Sequence, residues 1–281
     1  MASGLSRRDA KGSAITLGTK ATATLISLGG TAVFARLLTP GDFGLVDMLG
    51  TGLALMGTFG NFGLSQATVQ KYDLKRGEVN NLFWLNCLFG LTLWGVCSLL
   101  APLIALFYGV PELTAVARIG SFVFVWAALK AQPEALLQRR GHFLELGAAQ
   151  IGGQAIGLAA GIWVATHGGT YWALITNSIT STFATALFGL WFARFVPGGW
   201  DRTADIRPML KFGANLVLSA LIAFSSRNLD RIVIGKVWGE APLGEYTRAY
   251  RLYTLPVQLA SGPLATVMLP SLARRQLSPR R

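Results

Sequence analysis

From near its start almost to its end, the sequence alternates long apolar runs with short polar segments. A run of about 20 apolar residues is what an α-helix needs to cross the hydrocarbon core of a bilayer. Lipid offers the backbone no hydrogen-bond partner, so such runs are constrained to close their own bonds as helices. We read about eight of them, at residues 13–35, 43–64, 82–107, 114–137, 144–166, 171–193, 209–235 and 243–270. The expected fold is an all-α polytopic membrane protein. Composition agrees, because only 14% of residues are charged and 52% are hydrophobic. A soluble domain carries about 25% charged residues, and a chain of this size could not cover its surface with so few.

The net charge of +12 would fit a nucleic-acid partner if the cations formed one basic face. They lie instead in short segments between apolar runs, which points to membrane lipids and away from nucleic acid. Arg7, Arg8 and Lys11 precede the first run, Lys71, Lys75 and Arg76 follow the second, and Arg139 and Arg140 follow the fourth. Arg194, Arg202, Arg207 and Lys211 follow the sixth, and Arg274, Arg275, Arg280 and Arg281 close the chain. The alternate segments hold little besides Arg36 and Lys236. By the positive-inside rule both termini are cytoplasmic. "SRRDAK", Ser6 to Lys11, has the paired arginines of an export signal without the apolar residues that should follow, and reads as a cytoplasmic anchor.

One segment occurs twice. "FARLLTPGDFGLV" (Phe34 to Val46) and "VIGKVWGEAPLGEYT" (Val233 to Thr247) both join two apolar runs through a basic residue and a short Gly/Pro-containing bend. Lys11 aligns with Lys211, Arg36 with Lys236 and Gly44 with Gly244, all at one offset. Six runs fit between the two starts, and a parallel repeat of six helices is a transporter plan. The expected domains are a six-helix lobe at residues 1–205 and the first two helices of a second lobe, with a basic tail, at residues 206–281.

Polar residues inside the runs are the functional candidates, since they are costly in lipid unless a cavity or a partner meets them. Thr16, Lys20, Thr24, Ser27 and Thr31 recur at steps of three and four and share one helix face. Lys20 lies about 10 Å inside its run by helical rise, which favours a cavity over snorkelling to the interface. Asn177, Ser181 and Thr185 share a face of the sixth run, fit for sugar, for water or for bonds between helices. Arg227, Asp230 and Arg231 form either a self-neutralising cluster or an anion site. Glu245, Arg248 and Arg251 open the eighth run among Tyr246, Tyr250 and Tyr253, and Asp47 is a candidate partner for one of these cations. Gly153, Gly157 and Gly161 form a small-residue stripe for close helix packing. Pro133 reads as a kink beside a Lys130–Glu134 pair.

Other chemistries find no support. Cys87 and Cys97 are ten residues apart in one run, about 15 Å along a helix, which no disulfide spans. His142 and His167 are far apart, and no metal site is expected. Neither a phosphate-binding glycine loop nor a nucleophile elbow is present, so no cofactor and no enzymatic activity are expected. Transport would draw on an ion gradient, the membrane potential or the substrate gradient.

"ARLLTPGDFGLVDM", "NFGLSQATVQ", "PEALLQRRGHFLEL", "GTYWALITNSI" and "NLDRIVIGKVWGEAPLGEYTRAYRLYTLPVQ" occur in an order that resembles the Wzx-type oligosaccharide flippases, within the multidrug/oligosaccharidyl-lipid/polysaccharide exporter superfamily. The resemblance covers nearly the whole chain. It implies two lobes of 12 to 14 helices in all around a cationic cavity, moving undecaprenyl-pyrophosphate-linked sugars across the bacterial inner membrane by alternating access. Under that resemblance Lys20, Arg227 and Arg248 are candidate cavity cations for the pyrophosphate, and Thr24, Asp47, Asn177 and Asp230 are candidate polar or ion-pairing residues. The chain lacks the last four to six helices of the family plan, so it is expected to work as part of a longer product, as a homo-oligomer or beside the polysaccharide assembly machinery. A drug or cation antiporter of the same superfamily, a membrane glycosyltransferase or O-antigen polymerase, and an inactive fragment are the alternatives. The enzymes should carry a large extracytoplasmic loop that is not seen here.

Overall fold

The computed structural model describes residues 2–60, 65, 68–69, 74–201, 229–250 and 252–254. These are helical, with no strand among the described residues. The helices are α1 (Ala2–Leu37), α2 (Pro40–Gly60), α3 (Arg76–Tyr108), α4 (Leu113–Gly120), α5 (Val123–Arg140), α6 (Phe143–Thr166) and α7 (Trp172–Ala193). Residues 229–238 form α8 and 240–250 form α9. Among the described residues, α3, α4 taken with α5, α6 and α7 each have the length and apolarity to cross a membrane. The chain is an all-α multi-pass membrane protein. The seventh and eighth expected spans lie largely outside the described residues.

The helix limits follow local chemistry. Thr39-Pro40-Gly41-Asp42, expected as an inter-helix bend, is the first turn of α2. The Thr39 N–H and hydroxyl both donate to Asp42 Oδ2 (2.9 and 2.7 Å), and the Asp42 N–H donates back to Thr39 Oγ1 (3.3 Å). This is a capping box with proline at the first helical position, where its missing N–H leaves no bond unmade. The chain reverses just before it, within residues 38–39. Gly109 ends α3 at φ 76°, its N–H donating to the Ala105 carbonyl (2.8 Å). The expected single span at 114–137 is divided at Ser121–Phe122, where bonds from Phe122 to Ile119 and from Phe124 to Ser121 tighten the helix for one turn.

Packing centres on α6 and α7. The glycine stripe and the polar stripe turn out to be two sides of one interface: Gly153 faces Thr185, Gly157 faces Ser181 and Gly161 faces Asn177. A Cβ at Gly161 would lie 2.8 Å from that of Asn177, so the stripe sets how closely the helices approach. Pro133 is buried in α5, and Lys130 and Glu134 pair at 3.6 Å. Leu88, Leu91, Leu99, Leu103 and Leu106 remain exposed on α3, an apolar face suited to acyl chains.

At one end of α3, residues 198–201 are bound to its first turns. Asn81 Nδ2 donates to the Asp201 carbonyl (2.6 Å) and the Asp201 N–H donates to Asn81 Oδ1 (2.8 Å). Gly198 donates to Asn80 Oδ1 (3.2 Å), and Trp84 Nε1 donates to the Gly198 carbonyl (2.8 Å). At the opposite end, α8 and α9 dock on α2 and α3. Lys236 Nζ donates to the Phe107 carbonyl and sits 4.9 Å from the centre of the Phe107 ring. Leu243 is fully buried in a cluster with Leu45, Met48, Leu49, Leu113 and Val116. Here the starts of α2 and α9 cross reciprocally. A Cβ at Gly44 would strike the Glu240 carbonyl, and one at Gly244 would strike the Pro40 carbonyl.

Candidate functional site

Between α1, α2, α6 and α7 the bundle holds a cavity of about 340 Å³. Ser27, Thr31 and Phe34 of α1 line it, with Phe43 and Asp47 of α2, Gln154 and Leu158 of α6, and Asn177, Ser178, Ser181 and Thr182 of α7. The steps of three and four on α1 and α7 turn these polar positions inward together. The glycine stripe of α6 brings α7 close enough for its hydroxyls and amide to form one wall. Asp47 is the one ionisable side chain among these lining residues.

The lining is rich in acceptors. The Thr31 hydroxyl donates to the Ser27 carbonyl and the Thr182 hydroxyl to the Ser178 carbonyl, each at 2.8 Å. With their hydrogens directed into their own helices, both oxygens keep only lone pairs for an occupant. Gln154 Oε1 is buried and has no hydrogen-bond partner.

The cavity abuts the crossing of α2 and α9. The fully buried Thr247 hydroxyl donates to the Asp47 carboxylate, across an offset of 200 positions. Phe43 lines the cavity and also carries the Arg248 guanidinium 3.9 Å from its ring centre. Arg248 Nη2 donates to the Thr39 carbonyl (3.2 Å). Near this contact, burial, then Glu112, then Asp42 raise the Glu240 carboxyl above the ordinary carboxylate range.

Of the residues singled out in the sequence, Ser27, Thr31, Asp47, Asn177 and Ser181 line the cavity. Arg248 stands at its edge, stacked on Phe43. Lys20 is exposed on α1, and the Thr24 hydroxyl donates to its carbonyl (2.8 Å); the cavity lies further along α1, at Ser27 and Thr31. Asp230 accepts a hydrogen bond from Tyr246, and Arg231 lies 5.4 Å from the Tyr250 ring centre, so that cluster ties α8 to α9. Arg227 lies outside the described residues. Sequence reasoning missed Gln154, Phe43 and Thr247. The offset that paired Gly44 with Gly244 also pairs Asp47 with Thr247 and was the signal available for it.

Residues 33–281 match the polysaccharide biosynthesis protein family. The chain is 29% identical over 265 residues to the lipopolysaccharide biosynthesis protein WzxC of Escherichia coli K12, covering 91% of this chain and 53% of that protein. It is 28% identical over 225 residues to the teichuronic acid biosynthesis protein TuaB of Bacillus subtilis, covering 77% and 45%. It is 23% identical over 240 residues to the succinoglycan biosynthesis transport protein ExoT of Rhizobium meliloti, covering 85% and 48%. The chain thus spans about half the length of the curated relatives it matches. No solved structure matches it.

Proposed function

The chain belongs to the polysaccharide biosynthesis protein family, and from that premise we propose that it is a transporter, not an enzyme, acting on a lipid-linked oligosaccharide. The substrate is an undecaprenyl-pyrophosphate glycan, moved across the bacterial inner membrane for surface polysaccharide assembly. The observation that carries this reading is a cavity walled by hydroxyl and amide groups inside a membrane bundle. Such a lining suits a glycan better than an apolar drug. The names of the relatives, which include polysaccharide biosynthesis and transport, support it.

Residues 1–205 act as a six-helix lobe with cytoplasmic N-terminus, and residues 206–281 open a second lobe of the same plan. The reciprocal contacts of Gly44 with Glu240 and of Gly244 with Pro40 support this division, because repeats related by a two-fold axis meet through equivalent positions. Lys20, Arg227 and Arg248 serve the pyrophosphate, whose charge needs cations along a low-dielectric path. Asp47, inside the cavity, favours a cation antiporter as the second reading.

The test is complementation in a bacterium lacking its own lipid-linked glycan exporter, with the gene expressed from its complete reading frame. Restored surface polysaccharide is expected. Accumulation of the lipid-linked glycan on the cytoplasmic leaflet would overturn the reading, and drug resistance without glycan export would favour the antiporter.

A further inference from the structure

We propose that the cavity between α1, α2, α6 and α7 is a subsite for a neutral, hydroxyl-bearing sugar ring and excludes the diphosphate of the same substrate. This rests on the reading of the chain as a mover of lipid-linked glycan. It divides that substrate between two places: sugar inside the bundle, charged head outside it.

Size is the first argument. About 340 Å³ lies at the lower end of small-molecule sites. That volume matches an occupant of one or two rings. A lone metal ion needs oxygens converging at about 2.3–2.6 Å, a geometry much tighter than this space, and no metal-binding cluster of acids, histidines and cysteines occurs among the described residues.

Hydrogen-bond polarity is the second. Thr31 Oγ1 and Thr182 Oγ1 offer lone pairs, and so does the unpartnered Gln154 Oε1. A buried unmatched acceptor costs about 1–3 kcal/mol, so the fitting occupant is one that brings donors. Sugar hydroxyls and acetamido N–H groups are donors. A diphosphate brings only acceptors and negative charge; the amides and serine hydroxyls can donate to it, but the Asp47 carboxylate repels it and no cation among the described lining residues offsets that charge.

Charge completes the case. None of the described cavity-lining residues is Lys, Arg or His. The neighbouring cation, Arg248, stands at the edge of the cavity, stacked on Phe43 and bonded to the Thr39 carbonyl, where it would meet the charged head outside. Phe34 and Phe43 also line the cavity but are almost wholly buried, so the polar groups carry the recognition.

The experiment uses the full chain in nanodiscs of phosphatidylethanolamine and phosphatidylglycerol. The probes are methyl β-D-glucoside and methyl N-acetyl-β-D-glucosaminide, read by saturation-transfer NMR, with inorganic pyrophosphate and tetramethylammonium as competitors. Saturable binding of at least one glycoside is expected, insensitive to pyrophosphate and weakened about tenfold by Gln154→Leu. Ser178→Ala, which removes one hydroxyl and leaves the packing of α7 intact, should weaken it by a smaller factor. The proposal is overturned if neither glycoside saturates, if pyrophosphate competes, if tetramethylammonium displaces the sugar at lower concentration than the sugar itself binds, or if both variants bind like the parent. The complementation assay runs in parallel. Export that is intact in Gln154→Leu, with no glycoside binding, sinks the subsite and leaves the transport reading standing. Glycoside binding that requires Gln154, with no export by any form, does the reverse.

Discussion

The two ends of α3 hold their neighbours by opposite means. At its start, residues 198–201 are fixed by side-chain amides: Asn81 exchanges two bonds with Asp201, and Asn80 and Trp84 both engage Gly198. At its far end, α9 meets α2 through positions that have no side chain, Gly44 and Gly244, each against a carbonyl of the other segment. The first junction depends on directional bonds and tolerates little change of angle. The second depends on an absence of atoms and tolerates no added ones. Where the chain leaves α7 it is tied, and where α9 meets α2 it is fitted.

The largest expected effect comes from filling the fitted junction. Gly44→Leu or Gly244→Leu places a side chain where a carbonyl stands, and overpacking of this kind costs about 1–3 kcal/mol. Disulfide trapping between Gly41→Cys and Glu240→Cys, in a background of Cys87→Ala and Cys97→Ala, should fall about tenfold or more. Undiminished trapping would show that α9 does not depend on the glycines. At the tied junction, Asn81→Leu strands an N–H and a carbonyl of Asp201. A loss of about 1–3 kcal/mol is expected, seen as a lower thermal midpoint in detergent with the same cysteine trapping at the other end. If trapping falls as well, the two junctions are one cooperative unit and the contrast between them breaks.

Thr247→Val probes the directional bond inside the fitted junction. Removing the donor to Asp47 should weaken docking of α9 by about 1 kcal/mol, less than either glycine variant in the same trapping assay. An effect as large as that of Gly44→Leu would mean that the bond, not the close fit, holds α9.

The smallest effect is a dependence on pH. Burial, Glu112 and Asp42 hold the Glu240 carboxyl above its ordinary range. The docked state therefore keeps its proton to a higher pH than the undocked one does. Docking is fully supported below the undocked value and weakens as pH rises through the raised one. Trapping between Gly41→Cys and the neighbouring Ala241→Cys, which leaves Glu240 in place, should decline across that window, and Glu240→Gln should flatten the profile. A decline that persists in Glu240→Gln would assign it to another group.

The tied and fitted junctions also differ in how legible they were. Apolar runs gave the limits of most helices, because the need to satisfy the backbone in lipid is local. The glycine stripe of α6 and the polar stripe of α7 were each visible through their spacing of four. That they face one another was not, since spacing assigns a face to a helix but no partner to the face. Asn80 and Asn81 gave no signal at all, being ordinary amides with partners some 120 positions away. Gly44 and Gly244 were found only because the chain repeats itself, so that the offset supplied a partner that chemistry could not. Arg248 is a candidate cavity cation under the family resemblance, but its seat on the Phe43 ring at the cavity's edge was not legible, because the partner ring lies some 200 positions away. The capping box was hidden in plain view: Thr39 and Asp42 at the required spacing read as a loop because Pro40 and Gly41 lie between them.

The reciprocal crossing of α2 and α9 has an entropic consequence. A contact made by side chains must freeze rotamers each time it forms, at up to about 2 kcal/mol for a long one. Glycine has none to freeze. Joining Gly44 to Glu240 and Gly244 to Pro40 freezes no glycine side chain at those two contacts, and parting them releases none. At these two contacts the approach of the helices is set by the gap between two backbones, and the Thr247–Asp47 and Arg248–Thr39 bonds add the directional part of the junction.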